Sequence, residues 1–342
     1  MREPVDPFEY FFEKPWSDGL PVVTPTEERV EQMLSGTRRG PEEVIGAVPP
    51  LGEIATVRQA AIHAVMAGCK PEYLPVVLGG LEAALEEPLN LGGVQATLHS
   101  VAPLMIVNGP YAKRIGLTGG GGCFGPGFRA NATIGRALRL MLLNLGRGIP
   151  RVASMSTLGQ PSRYTFCVAE NEEESPWESL AVSRGHSPED DVITMVMCEN
   201  PQIIFNDVDR DPRRLLVPVA DNIAAMGSWP IWTRTDVAVA LSPEHASICA
   251  RGGFSRADAH RYLCEIAGRR VRDLKRGGPW REDRPSGRWG HPVDRNDEDF
   301  FVRAIHDPED LHLFVAGGNG PMSAVMPGWN GASQAVTRTY QA

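Results

Sequence analysis

Apolar and polar positions switch along the chain between a helical and a strand-like period, and the switches mark the elements. Thr24-Pro25-Thr26-Glu27 reads as a helix start: Thr24 caps, Pro25 takes the first helical position, Glu27 completes a capping box, and the helix runs to about Leu34. Thr56 with Gln59 repeats that logic and predicts a helix that turns Ile62, Val65 and Met66 inward and delivers Cys69 at its end. Pro71 opens another, to about Glu86. Two β-branched, apolar segments flank His99 and end at the turn Asn108-Gly109-Pro110, and residues 128–145 have helical composition. Further strands are predicted over 164–169, 192–197, 236–241 and 311–316, and a helix over 212–226. Ser242-Pro243 makes a strand-turn-helix junction, with Ser242 as cap.

Strands alternating with helices predict an α/β fold: a largely parallel sheet with helices on both faces and ligands beyond the carboxyl ends of the strands. Residues 1–23 read as an arm, with Phe8, Tyr10, Phe11, Phe12 and Trp16 set between prolines and packed on the body or on a partner chain. Residues 24–150 then form one α/β half and 151–342 a second, with a charged excursion over 275–299 as a surface loop or lid. Two glycine-rich loops that each end in Gly-Pro hint that the halves are related.

Composition narrows the partners. With 34 Lys+Arg against 42 Asp+Glu the formal charge is -8, which argues against nucleic acid. No apolar stretch is long enough to span a bilayer, and the first residues lack a basic start followed by an apolar run, so no membrane and a cytoplasmic location are expected. The six cysteines are scattered without a C-x-x-C pair, which predicts free thiols. The eight histidines form no H-E-x-x-H or H-x-H pair, so no metal site is expected, and nothing names a cofactor. The 36 glycines and 29 prolines point to shaped loops.

The clearest local feature is GGGGCFGPG over 119–127, directly before a helix. Gly121 and Gly122 let the backbone approach a ligand, and the helix start with Arg129 or Arg136 can hold an anion; a purely structural turn explains the loop equally well. The loop lacks the Lys of a P-loop and has no dinucleotide pattern. Gly318 and Asn319 offer a second such loop. Cys123 is either a reactive thiol or a small core residue. Glu170 and Glu172 follow a strand, where burial would raise a carboxyl pKa and make it an acid or base; a solvated acidic loop is the bland alternative. His99 and His63 fit core packing as well as chemistry, His245 sits in a first helical turn, and no G-x-S-x-G elbow exists.

The segments AGCKPEYLPVVLGGLEA (67–83), GVQATLHSVAPLMIVNGP (93–110), FGPGFRANATIGRALRL (124–140), FCVAENEEESPWESL (166–180) and AGGNGPMSAVMPGW (316–329) resemble a bacterial family associated with UGSC proteins, in which selenocysteine or cysteine precedes Gly-Ser-Cys. The similarity runs from about Trp16 onward. It matches Cys69, His99, Asn108, Arg129, Asn131, Glu170, Asn171, Glu172 and Trp177, and it assigns none of them a catalytic role. The chain has no Cys-Gly-Ser-Cys of its own, so the resemblance implies that such a motif comes from another polypeptide.

The expected function is an enzyme on a small anionic or polar metabolite, of lyase or hydratase type. Gly121, Gly122, Arg129, Asn131, Asn108, Gly318 and Asn319 would bind the substrate, and Glu170, Glu172, His99 and Cys69 would carry protons. One alternative is a substrate-binding subunit of a thiol or selenol redox complex, and another a non-catalytic assembly protein. Either a homo- or a hetero-oligomer is expected.

Overall fold

The computed structural model describes residues 6–280, 289, 291–330 and 333–342. In chain order the elements are α1 (Pro7–Glu13), α2 (Glu27–Leu34), β1 (Val44–Val48), β2 (Glu53–Thr56), α3 (Val57–Ala67), α4 (Leu74–Leu85) and α5 (Leu91–Ala96). There follow β3 (Ala102–Asn108), α6 (Pro110–Arg114), α7 (Arg129–Asn144), β4 (Cys167–Ala169), α8 (Leu180–Ser183), β5 (Val192–Cys198) and β6 (Gln202–Phe205). The remainder are α9 (Pro212–Ile223), β7 (Val237–Leu241), α10 (Pro243–Arg251), α11 (Arg256–Ile266), β8 (Gly268–Arg270), α12 (Val271–Leu274), β9 (Phe301–Arg303), β10 (Leu311–Val315), β11 (Met322–Pro327) and β12 (Val336–Thr339).

Caps behave as their chemistry dictates. Thr56 accepts from the Gln59 N–H, Ser242 from the His245 N–H, and left-handed Gly68 ends α3 just before Cys69. The cap of α2 is Thr26 rather than Thr24, and the segment before His99 is the short helix α5 rather than a strand.

The expectation of one largely parallel sheet with helices on both faces is wrong. Among the described residues there are two four-stranded sheets, β12-β5-β3-β4 and β10-β7-β11-β6, each mixed, with a single parallel pair (β3 with β4, β7 with β10) and otherwise antiparallel neighbours. Small antiparallel pairs β1-β2 and β8-β9 lie outside them. Alternation inside the strands explains the layering. Met105, Val107, Ile193, Met195 and Met197 pack with α2, α3, α4 and α7, and Val237, Val239, Leu311, Leu313 and Val325 pack with α9 to α12. The opposite faces, Leu104, Ile106, Val168 and Val196 on one sheet and Ala238, Ala240, Phe314, Ala324 and Met326 on the other, pack against each other. The layers are therefore helix, sheet, sheet, helix. A strand buried on both faces carries a continuous apolar run whether its second cover is a helix or another sheet, which is why the runs misled.

The two sheets are repeats. Each is built by a strand, two helices, a parallel strand and an antiparallel return, β3-α6-α7-β4-β5 and β7-α10-α11-β10-β11, with α8 inserted before β5 in the first and β8, α12 and β9 before β10 in the second. The fourth strands are exchanged, since β6 follows β5 but joins β11, and β12 follows β11 but joins β5. Setting the pair Val107–Ala169 on Leu241–Val315 by register makes Phe166 equivalent to His312, Val168 to Phe314 and Ala102 to Asp236. It also makes Cys198 equivalent to Gly328, and these two residues bridge each other across the join between the halves. A matching phrase starts α7 and α11: Gly-Phe-Arg-Ala-Asn-Ala at 127–132 and Gly-Phe-Ser-Arg-Ala-Asp-Ala at 253–259. The glycine loops that suggested two halves are not equivalent, because 119–127 precedes β4 whereas 317–321 follows β10.

The arm docks on α7. Phe11 is buried in the first core, and Asp18 accepts two hydrogen bonds from Arg136, both 2.8 Å. Residues 281–288 and 290 of the excursion over 275–299 lie outside the described residues. Among the described residues no helix is long and apolar enough to cross a membrane.

Candidate functional site

At their carboxyl ends the edge strands β4 and β10 meet. The Asn171 N–H donates to the Val315 carbonyl (2.8 Å), the Gly317 N–H to the Gly119 carbonyl (2.7 Å), and Asn171 Nδ2 to the Gly317 carbonyl (3.1 Å). A Cβ built on Gly318 would lie 3.1 Å from the Gly121 Cα, so the two glycine loops touch. Asn131 clamps the first of them, accepting from the Thr118 N–H and donating to the carbonyls of Thr118 and Cys123. The loop's N–H groups at Gly120, Cys123 and Gly125 are engaged within it.

Glu170 is buried in this junction. It accepts from Asn108 Nδ2 (2.7 Å), the Leu180 N–H (2.7 Å) and the Val315 N–H (3.3 Å), which holds α8 and the edge of β10 in place. Burial pushes its pKa up, against the Arg256 charge and these hydrogen bonds. Glu172 is exposed and accepts from the same Asn108 amide (2.6 Å). The Asn108 Oδ1 is buried without a partner.

The remaining expected site residues lie elsewhere. His99 pairs with Glu199 (2.6 Å) before the start of β3, and Asn108 ends that strand, about 20 Å on at the usual strand rise. Cys69 and Arg129 line a separate cavity of about 300 Å³ with Arg29 and Lys70, where Arg129 donates to the Gly68 carbonyl (3.0 Å). Burial pushes the thiols up, Cys69 to about 12 and Cys123 to about 11, the opposite of what thiolate chemistry needs.

A polar cavity of about 530 Å³ opens where β7 and β10 begin, and sequence reasoning missed it. His312, 1% exposed, points inward between the sheets, and its Nε2 lies 2.7 Å from Asp236 Oδ1. Arg184 donates to His312 Nδ1, so the ring proton sits on Nε2 and is given to Asp236. Asp236 also accepts from the Ala335 N–H (3.0 Å). Arg256, 6% exposed, donates to the Leu313 carbonyl, and His260 Nε2 meets the Leu311 carbonyl (3.2 Å), so α11 covers the free edge of β10. Arg234 is held by Asp310 (2.9 Å). That leaves Arg184 and Arg256 as guanidinium groups on the cavity without a carboxylate at salt-bridge distance among the described residues, both pushed down by burial. Burial likewise pushes His260 down. Leu180, which Glu170 anchors, lines the same wall.

Two signals for this site stand in the sequence: a histidine inside the apolar run Leu311–Val315, and Arg256 in the phrase repeated from Arg129. Among the described residues no group of His, Cys, Asp and Glu could hold a metal ion.

Fold and site together define a two-sheet, internally repeated protein with a guanidinium-rich cavity in its second half. No protein-family model matches the chain, and no curated protein matches it.

Proposed function

We propose that the protein is an enzyme that takes a small anionic metabolite into the β7–β10 cavity and moves a proton on it, in a lyase or hydratase type of reaction. The supporting observation is the line Arg184–His312–Asp236 on the cavity wall. A bound carboxylate or phosphate competes for Arg184 and Arg256, for which charge-assisted bonds are the strong ones. As Arg184 turns to the substrate it releases His312 Nδ1, which becomes the base, while Asp236 holds the tautomer and stabilises the imidazolium that forms. Base and binding group are thus coupled: the imidazole is free only when the anion is present. Glu170 acts in this reading as a positioning residue, through α8.

The test is a thermal unfolding series with inorganic phosphate and small mono- and dicarboxylates on wild type and Arg184→Gln. Saturable stabilisation of the wild type, reaching about 2.7 kcal/mol at a hundred dissociation constants, and its loss in the variant are expected. Equal dose responses in the two proteins overturn the reading.

A further inference from the structure

A second cavity, of about 620 Å³, lies between the N-terminal arm, α7 and the segment 149–164. Its walls are apolar: Phe12 from the arm, Leu143 from α7, and Ile149, Leu158 and Tyr164 from the segment. Leu158 is 92% exposed at its rim, more than any other large apolar side chain among the described residues. An open apolar wall of this kind is uncommon without an occupant.

Two guanidinium groups, Arg139 and Arg163, also line it. Neither has a carboxylate at salt-bridge distance among the described residues. Arg139 donates only to Gln95 Oε1 (3.2 Å) and the Gly148 carbonyl (3.4 Å), and Arg163 Nε is buried without a partner. The one carboxylate on the wall, Asp18, is taken by Arg136. Burial and the like charge of Arg163 push Arg139 down to about 10, and burial pushes Arg163 down too. Two cations this dry cost stability until an anion joins them.

We propose that this cavity binds an amphipathic carboxylate, its head on Arg139 and Arg163 and its apolar tail along Phe12, Leu143 and Leu158. The volume falls in the ordinary range for small-molecule sites. The combination decides the class: a small inorganic anion leaves the apolar wall wet, and a neutral apolar molecule leaves the guanidinium groups unpaired. The site is separate from the β7–β10 cavity, and no residue is common to the two.

The experiment is calorimetric titration of the full chain with decanoate, decanol and acetate, on wild type, Arg163→Gln and Leu158→Ser. Decanoate is expected to bind one site, with decanol and acetate each weaker by about tenfold or more, and Arg163→Gln is expected to lose about tenfold for decanoate. Leu158→Ser, at an exposed position that folding does not depend on, is expected to weaken decanoate and leave acetate unchanged. Decanoate that does not bind, or that binds wild type and Arg163→Gln alike, overturns the proposal. So does a wild type that self-associates through this face and loses association, rather than decanoate binding, in Leu158→Ser.

Discussion

The first half of the molecule places Ala102 and Phe166 where the second places Asp236 and His312. Phe166 lines a cavity of about 370 Å³ with Cys123, Asn131 and Cys167 on its wall; Asp236 and His312 line the cavity of about 530 Å³ with Arg184, Arg256 and His260. Backbone and layers are the same, so the scaffold alone does not make a site. What differs is a handful of side chains at the entrance between the sheets, and the difference turns a hollow lined by neutral side chains into a charged one.

The comparison breaks most visibly at Asp236. Asp236→Ala installs the residue of the first half but leaves the buried His312 Nε2–H and the Ala335 N–H without their acceptor, and a loss of about 3 to 5 kcal/mol in urea unfolding is expected. The double change Asp236→Ala with His312→Phe reproduces the first half and is expected to cost less than the single one, since apolar replacement of a buried pair is often tolerated. A double variant less stable than Asp236→Ala would show that the halves are not interchangeable there.

Acid tests a buried group of the first half next. Burial holds His63, on the buried side of α3 in the first half, down to about 4. Its neutral form contributes stability that is fully present above the unfolded value of about 6.5 and is lost as pH falls toward 4, because the unfolded chain takes up the proton first. The loss amounts to about 3 kcal/mol. His63→Leu is expected to flatten the stability profile between pH 7 and 4 by that amount, and a profile of unchanged slope contradicts it.

The contact between the halves gives the smallest effects. A Cβ on Gly119 would stand 2.4 Å from the Ala169 carbonyl oxygen and 2.6 Å from the Asn171 N, so Gly119→Ala is expected to cost about 1 to 3 kcal/mol. A Cβ on Gly121 meets the Gly318 Cα at an ordinary 3.6 Å, and Gly121→Ala is expected to stay within about 0.5 kcal/mol. Equal effects at the two glycines would mean that Gly119 is not packed against the end of β4 as closely as described.

Glu170 and Asn108 were legible as polar residues at strand ends, because each follows an apolar run, and Asn131 as a polar residue at the start of the helix after the glycine loop. Their roles were not: Glu170 and Asn131 complete backbone hydrogen bonding at the junction, and only distance and direction reveal that. The cavity residues were less legible still, since His312 lies 76 positions from Asp236 and 128 from Arg184.

By itself the sequence determined what is local: the caps at Thr56 and Ser242, the stop at Gly68, and the apolar runs of β5, β7 and β10. Those features depend on a few neighbouring residues, and their chemistry is complete within one turn or one strand. The tertiary structure alone decided which strands pair, that β6 and β12 change places, and that a second sheet rather than a helix covers the inner faces. Strand pairing joins backbone groups far apart in the chain through bonds that every residue offers alike, so no short stretch of side chains encodes it.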